Sequence, residues 1–170
     1  ATAWVERYAQ GRTIHVDDPF GIPLEFYYKM EHRELLLQQY TLYKGARIQR
    51  IDHFNLFSND VNTMTAFYVE ELGFRMTEAT VADIEDEDSD LWGTWLHRRG
   101  GVHDIAFTNG LGPRLHHIGV YVSTAMDVIN FCDRLASSDH KDAFERGPGR
   151  HGISNAFFLY ILDRDGHRTE

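Results

Sequence analysis

The sequence predicts an α+β fold of paired β-α-β-β-β modules, and three observations lead to it. A histidine motif occurs twice, as Arg50-Ile51-Asp52-His53-Phe54-Asn55-Leu56 and as Arg114-Leu115-His116-His117-Ile118-Gly119-Val120. The histidines sit at equivalent points of strand-like runs, 64 residues apart. That period is too long for a solenoid repeat and suits a small module of several strands and one helix. A second echo, Asp-x-x-Gly-x-x-x-Glu, spans Asp18 to Glu25 and again Asp163 to Glu170, each time a tight turn entering a strand that carries a carboxylate. Finally, each histidine strand precedes one run with helical spacing and then further strand-like runs.

Along the chain, residues 1–48 hold only the closing half of a module: a strand around Thr13–Val16, the turn at Asp18–Gly21 and a strand through Leu24–Tyr28. The charges and leucines between Glu31 and Tyr43 predict a helical or irregular connector between two domains. The first complete module, residues 49–112, opens with a strand over Gln49–Phe57. Val61, Met64, Phe67, Tyr68 and Leu72 then recur at helical spacing, and Gly73 stops that helix. Phe74–Val81, Leu91–Arg98 and Val102–Phe107 read as its three further strands. The second module, residues 113–170, repeats the plan with a strand over Leu115–Val122 and a helix near Ala125–Ser137. Its closing strands lie around Ala143–Arg146, Ala156–Leu162 and His167–Glu170. Neither module can bury its sheet alone, so the two pair around a shared cleft, with His53 and His117 facing one another.

Composition narrows the function classes. A hydrophobic fraction of 42% over 170 residues is enough for a packed core. The formal charge is −9 with ten histidines uncounted, and no run of Lys or Arg forms a basic patch, which argues against a nucleic-acid partner. No stretch approaches the roughly 20 apolar residues of a membrane helix, no signal peptide is present, and a single cysteine excludes an intrachain disulfide, so a cytoplasmic protein without a membrane partner is expected. Cys132 lies in a helical, half-buried setting and reads as an inert packed thiol. The acidic run Asp83 to Asp90 lacks the glycine and terminal glutamate of a calcium-binding loop and reads as a solvated hairpin loop.

The repeat carries the chemistry. Two neutral imidazoles and one carboxylate on one face of an octahedron leave the opposite face open, the arrangement by which non-haem Fe(II) sites bring substrate and O2 together. His53, His117 and Glu170 are the candidate triad. Strand alternation turns His116 away from His117, so only one of that pair can be a ligand. By residue type alone, His103 reads equally well as a hydrogen-bonded structural histidine, Tyr160 and Trp95 as core, and Arg146 as a partner of Glu145 or a turn cap.

Several blocks extend the pattern: Ile51-Asp52-His53-Phe54-Asn55, Gly101-Val102-His103-Asp104, Gly112-Pro113-Arg114-Leu115-His116-His117, Glu145-Arg146-Gly147-Pro148-Gly149-Arg150-His151-Gly152, Asn155-Ala156-Phe157-Phe158-Leu159-Tyr160, and His167-Arg168-Thr169-Glu170. In these blocks nearly the whole chain resembles the extradiol ring-cleaving dioxygenases of the vicinal oxygen chelate superfamily, in particular the branch acting on 3,4-dihydroxyphenylacetate. The resemblance implies Fe(II), or Mn(II), held by His53, His117 and Glu170. It makes His103 the acid–base, Tyr160 a partner of the bound catechol oxygen and His151 a supporting partner. Asn55 and Trp95 would line the pocket, and Arg146 would meet the substrate carboxylate. The implied partners are a small catechol and O2, the implied product 5-carboxymethyl-2-hydroxymuconate semialdehyde, and the implied assembly a homotetramer. The resemblance further implies that residues 1–48 are the remnant of an N-terminal domain plus connector, that residues 49–170 are the catalytic domain, and that the chain is a portion of a longer protein. Two alternatives stand beside it: an O2-independent, metal-dependent isomerase or lyase of the glyoxalase type, and a metal-free small-molecule-binding module.

Overall fold

The computed structural model describes residues 1–34 and 39–170. Three strands, β1 (Val5–Arg7), β2 (Gln10–Asp17) and β3 (Pro23–Tyr27), form a small antiparallel sheet. The sequence reading located the last two and missed β1, which is only three residues long and fully exposed. Of the expected connector, the leucines at 35–37 lie outside the described residues, and Tyr40–Leu42 forms one 3-10 turn.

The rest is one eight-stranded sheet. Its first half comprises β4 (Arg50–Ser58), β5 (Arg75–Val81), β6 (Leu91–His97) and β7 (Ile105–Asn109); its second comprises β8 (Arg114–Tyr121), β9 (Phe144–Arg150), β10 (Phe157–Leu162) and β11 (Arg168–Thr169). The strands lie in the order β5-β6-β7-β4-β8-β11-β10-β9. Each half folds identically: the histidine strand pairs in parallel with the last strand of its own module, β4 with β7 and β8 with β11. The halves join where β4 and β8 run antiparallel, which places a pseudo-twofold axis between the two histidine strands.

The helices fall where periodicity places them. α1 (Val61–Glu70) starts at Asp60, whose carboxylate accepts hydrogen bonds from the Thr63 N–H at 2.9 Å and the Thr63 hydroxyl at 2.7 Å. The chain leaves it through Gly73 at φ 67°, a conformation that favours glycine. α2 (Ala125–Ala136) opens on a capping box, with Thr124 and Asp127 each satisfying the other's backbone N–H. The main core packs Val61, Met64 and Tyr68 of α1 on Leu96 of β6 and Phe107 of β7. Phe20 and Ile22 of the β2–β3 turn and Leu24 of β3 extend this core, and the Tyr68 hydroxyl donates to the buried Asp18 carboxylate at 3.4 Å.

Two strands differ from the sequence reading. The stretch expected as Val102–Phe107 begins only at Ile105, because the Asp104 carboxylate accepts from the Arg98 and Arg99 N–H groups at 2.6 and 2.9 Å and closes a turn there. His103 therefore sits in the β6–β7 loop rather than on a strand. β9 runs on to Arg150, through Gly147-Pro148-Gly149, where the pattern predicts only Ala143–Arg146. The acidic run forms an exposed loop between β5 and β6, closed by the Ala82 N–H on the Asp90 carbonyl at 3.0 Å. Cys132 is half-buried on α2. Among the described residues no helix is long and apolar enough to cross a membrane.

Candidate metal centre

The antiparallel pairing of β4 with β8 sets His53 opposite Gly119 and Asn55 opposite His117, so both histidines fall on the same face at the seam. Parallel pairing of β11 with β8 brings in the carboxylate. The Glu170 N–H donates to the Ile118 carbonyl, and the Glu170 carbonyl accepts from the Val120 N–H, both at 2.9 Å. Glu170 thus lies alongside the strand that carries His117.

Three donor atoms converge. His117 Nε2 lies 2.9 Å from both His53 Nε2 and Glu170 Oε2, and His53 Nε2 lies 3.4 Å from Glu170 Oε2. His53, His117 and Glu170 are the one group of this kind among the described residues. The imidazoles are almost fully buried. Gly119 is what admits His53: a Cβ there would lie 2.2 Å from His53 Cε1, closer than any contact allows.

The surrounding groups fix this geometry. Asp52 Oδ2 lies 3.2 Å from His53 Nδ1 and holds a proton there, so that when His53 loses its second proton it is the Nε2 lone pair that faces the cluster. His117 Nδ1 faces His116 Nδ1 at 2.5 Å. His116 also packs on Phe57 and is reached by Arg168, whose ion-pair partner is Glu145. His151 Nε2 holds Glu170 Oε1 at 2.9 Å, leaving Oε2 to the imidazoles, and its ring is stacked on Phe158 with centroids 3.9 Å apart.

Electrostatics follow from burial and this bonding. Burial opposes charge on His53, but the hydrogen bonds to Asp52 and Glu170 outweigh it and raise its pKa to about 9. Burial likewise opposes the Glu170 charge, yet the hydrogen bonds from His117 and His53 hold the carboxyl far below the usual range. Burial pushes His117 down. His103 stands beside the cluster, its ring centroid 4.1 Å from that of His53. Its Nδ1 is buried with no hydrogen-bond partner among the described residues. Burial first, and then the charge of His53, lower its pKa to about 4, so it is neutral at pH 7.

A cavity of about 1190 Å³ opens on these groups. Asn55, Trp95, Arg146 and Tyr160 line it together with His103 and His151. Asn55 is buried and accepts from the Thr108 hydroxyl at 3.1 Å. Tyr160 lies with its ring centroid 5.2 Å from that of His117, and burial followed by the Glu170 charge pushes its hydroxyl upward. Arg146 pairs across the β9–β10 ladder with Tyr160, while Glu145 turns to Arg168 instead of Arg146. The structure therefore brings all nine sequence-derived residues to one cavity. Asp52 and Gly119 were missed. Asp52 was hidden because simple alternation puts it on the opposite face from His53, whereas β4 shifts register between Ile51 and His53 and brings the carboxylate round.

Comparison with known proteins gives a consistent set of likenesses. The family model for the Glyoxalase/Bleomycin resistance protein/Dioxygenase superfamily matches residues 50–170. A manganese-dependent 2,3-dihydroxybiphenyl 1,2-dioxygenase from Geobacillus genomosp. 3 is 33% identical over 98% of the chain and 56% of its own length. The crystal structure of homoprotocatechuate 2,3-dioxygenase from Arthrobacter globiformis is 44% identical and superposes with a TM-score of 0.88 over 96% of this chain and 50% of that one. The enzyme of the same name from Brevibacterium fuscum, in complex with 3,4-dihydroxyphenylacetate, is 43% identical with a TM-score of 0.85, over 95% of this chain and 49% of that one. The chain thus spans about half the length of the relatives it matches.

Proposed function

Since the chain belongs to the glyoxalase/bleomycin resistance protein/dioxygenase superfamily, we propose that it is the catalytic part of an extradiol dioxygenase that opens the ring of 3,4-dihydroxyphenylacetate. In this reading the ring bond next to the diol breaks, and both atoms of O2 enter the product, one in the new carboxylate and one in the aldehyde. The observation that carries it is the convergence of His53, His117 and Glu170 beside the unpartnered Nδ1 of His103. The likeness to a relative solved with 3,4-dihydroxyphenylacetate supports the choice of substrate.

The donor set fits a divalent metal. Two imidazole nitrogens and a carboxylate oxygen lie mutually within 4.8 Å, and Asp52 and His151 orient the ligands from behind. Bound there, Fe(II) or Mn(II) supplies Lewis acidity toward the phenolic oxygens and redox access between ring and O2.

The chain's own residues do the rest. Neutral His103, on the cavity wall, accepts a proton from the substrate hydroxyl at its imidazole and returns it as the oxygen–oxygen bond breaks. The Tyr160 hydroxyl, kept protonated, donates to a catechol oxygen. Asn55 and Trp95 form walls of the cavity, and Arg146 pairs with the side-chain carboxylate of the substrate. Residues 49–170 constitute the catalytic unit, acting in the cytoplasm in a homotetramer. The test is O2 uptake and appearance of yellow ring-cleaved product after anaerobic loading with Fe(II) or Mn(II). Product formation that vanishes in Glu170→Ala is expected; metal binding without O2 uptake on any catechol would overturn the reading and favour an O2-independent member of the family.

A further inference from the structure

The loop joining β9 to β10, residues 151–156, borders the candidate metal centre and its cavity. His151 orients Glu170, while Ile153 and Ser154 form part of the cavity wall. The loop belongs to the second module, yet its tip reaches the first: the Ser154 N–H donates to Glu78 Oε1 on β5 at 3.0 Å, across 76 residues of sequence. Ser154 and Asn155 both hold left-handed backbone conformations, at φ 57° and 55°, common for asparagine but uncommon for serine. Glu78 is half-buried, and its second oxygen, Oε2, is buried with no hydrogen-bond partner among the described residues. A carboxylate placed at such cost for one backbone N–H calls for a role. Glu78 also pairs across the β5–β6 ladder with Trp95, on the cavity wall.

We propose that Glu78 is a positioning residue that clasps the tip of the 151–156 loop to the sheet of the first module and so fixes one wall of the substrate cavity. The proposal rests on the dioxygenase reading for its substrate but not for its geometry. The clasp acts on Ile153 and Ser154 rather than on the metal ligands, because His151 has anchors of its own: the stack on Phe158, the bond to Glu170 and its N–H on the Ala156 carbonyl at 3.0 Å.

The test compares the full chain with Glu78→Ala and Glu78→Gln, the latter keeping a carbonyl acceptor. Amide hydrogen exchange of residues 152–155 is expected to quicken about 10-fold in Glu78→Ala and to return within about twofold of the parent in Glu78→Gln, the scale of one charge-assisted hydrogen bond. Affinity for Mn(II) should stay within about twofold in both variants. In the metal-loaded protein, KM for 3,4-dihydroxyphenylacetate should rise about 10-fold in Glu78→Ala with kcat little changed, and Glu78→Gln should rescue it. Unchanged exchange in Glu78→Ala, or faster exchange with an unaltered KM, overturns the proposal. A parent protein that does not turn over the catechol refutes the dioxygenase reading instead, and the exchange comparison still decides the clasp.

Discussion

Replacing Gly119 by alanine adds one methyl group at the most confined point of the centre. The new Cβ would lie 2.2 Å from His53 Cε1, 2.4 Å from Nδ1 and 2.6 Å from Nε2. Ordinary contact begins near 3.4 Å, so the ring must retreat by roughly 1.2 Å, the difference between 3.4 and 2.2 Å. Metal–ligand distances tolerate only about 0.2 Å, so a retreat of this size removes His53 from the ligand set. Misplaced supporting groups alone cost about 10–100-fold in affinity; loss of a ligand should cost at least about 100-fold, or about 2.8 kcal/mol. The fold itself should lose about 1–3 kcal/mol from overpacking. Calorimetric titration with Mn(II) reads the first effect and thermal unfolding of the metal-free protein the second. Gly100→Ala is the control, since a Cβ there meets nothing within 4 Å. A Gly119→Ala protein that binds Mn(II) within about threefold of the parent would refute the argument that His53 is a ligand held over Gly119.

Three further outcomes follow from the same geometry. His103→Asn should leave Mn(II) affinity within a few-fold but cut kcat by about 100-fold, the usual scale of a lost proton-transfer group, and stopped-flow turnover at saturating catechol checks this. Asp52→Asn removes the carboxylate that holds the His53 Nδ1 proton and should weaken Mn(II) binding about 10-fold while lowering the His53 pKa, read by titration of the imidazole NMR signals. Metal binding should be pH-dependent with a defined sign: with its pKa raised to about 9, His53 is protonated in the metal-free protein at pH 7 and must lose that proton to bind an ion. Affinity therefore rises about 10-fold per pH unit between roughly pH 6 and 8, and calorimetry at pH 7 in buffers of different ionisation enthalpy should report one proton released per ion.

The limits of the sequence as a guide have physical causes. The modules are legible because helix periodicity in Val61–Leu72 and a repeated histidine strand are local signals, and α1 and α2 end within two residues of their expected limits. The ligand residues are marked by the same repeat, and the echo of Asp18–Glu25 in Asp163–Glu170 marks Glu170. What makes Glu170 meet His117 is the parallel pairing of β11 with β8, a non-local contact made by a strand of two residues that carries no pattern of its own. The same holds for Asp52, brought to His53 by a register shift, and for His103, moved into a loop by the side chain of Asp104. The earlier echo has gone another way: Glu25 meets His15 at 3.1 Å and Gln10 at 3.0 Å, a hydrogen-bonded polar cluster on the small sheet.

The claim that His53, His117 and Glu170 hold the working metal is tested most directly by anomalous diffraction at the manganese edge from crystals of the Mn(II)-loaded protein. A single strong peak within about 2.0–2.3 Å of His53 Nε2, His117 Nε2 and Glu170 Oε2 is the predicted result. A peak bound elsewhere, or no peak between these three side chains at saturating Mn(II), would contradict it.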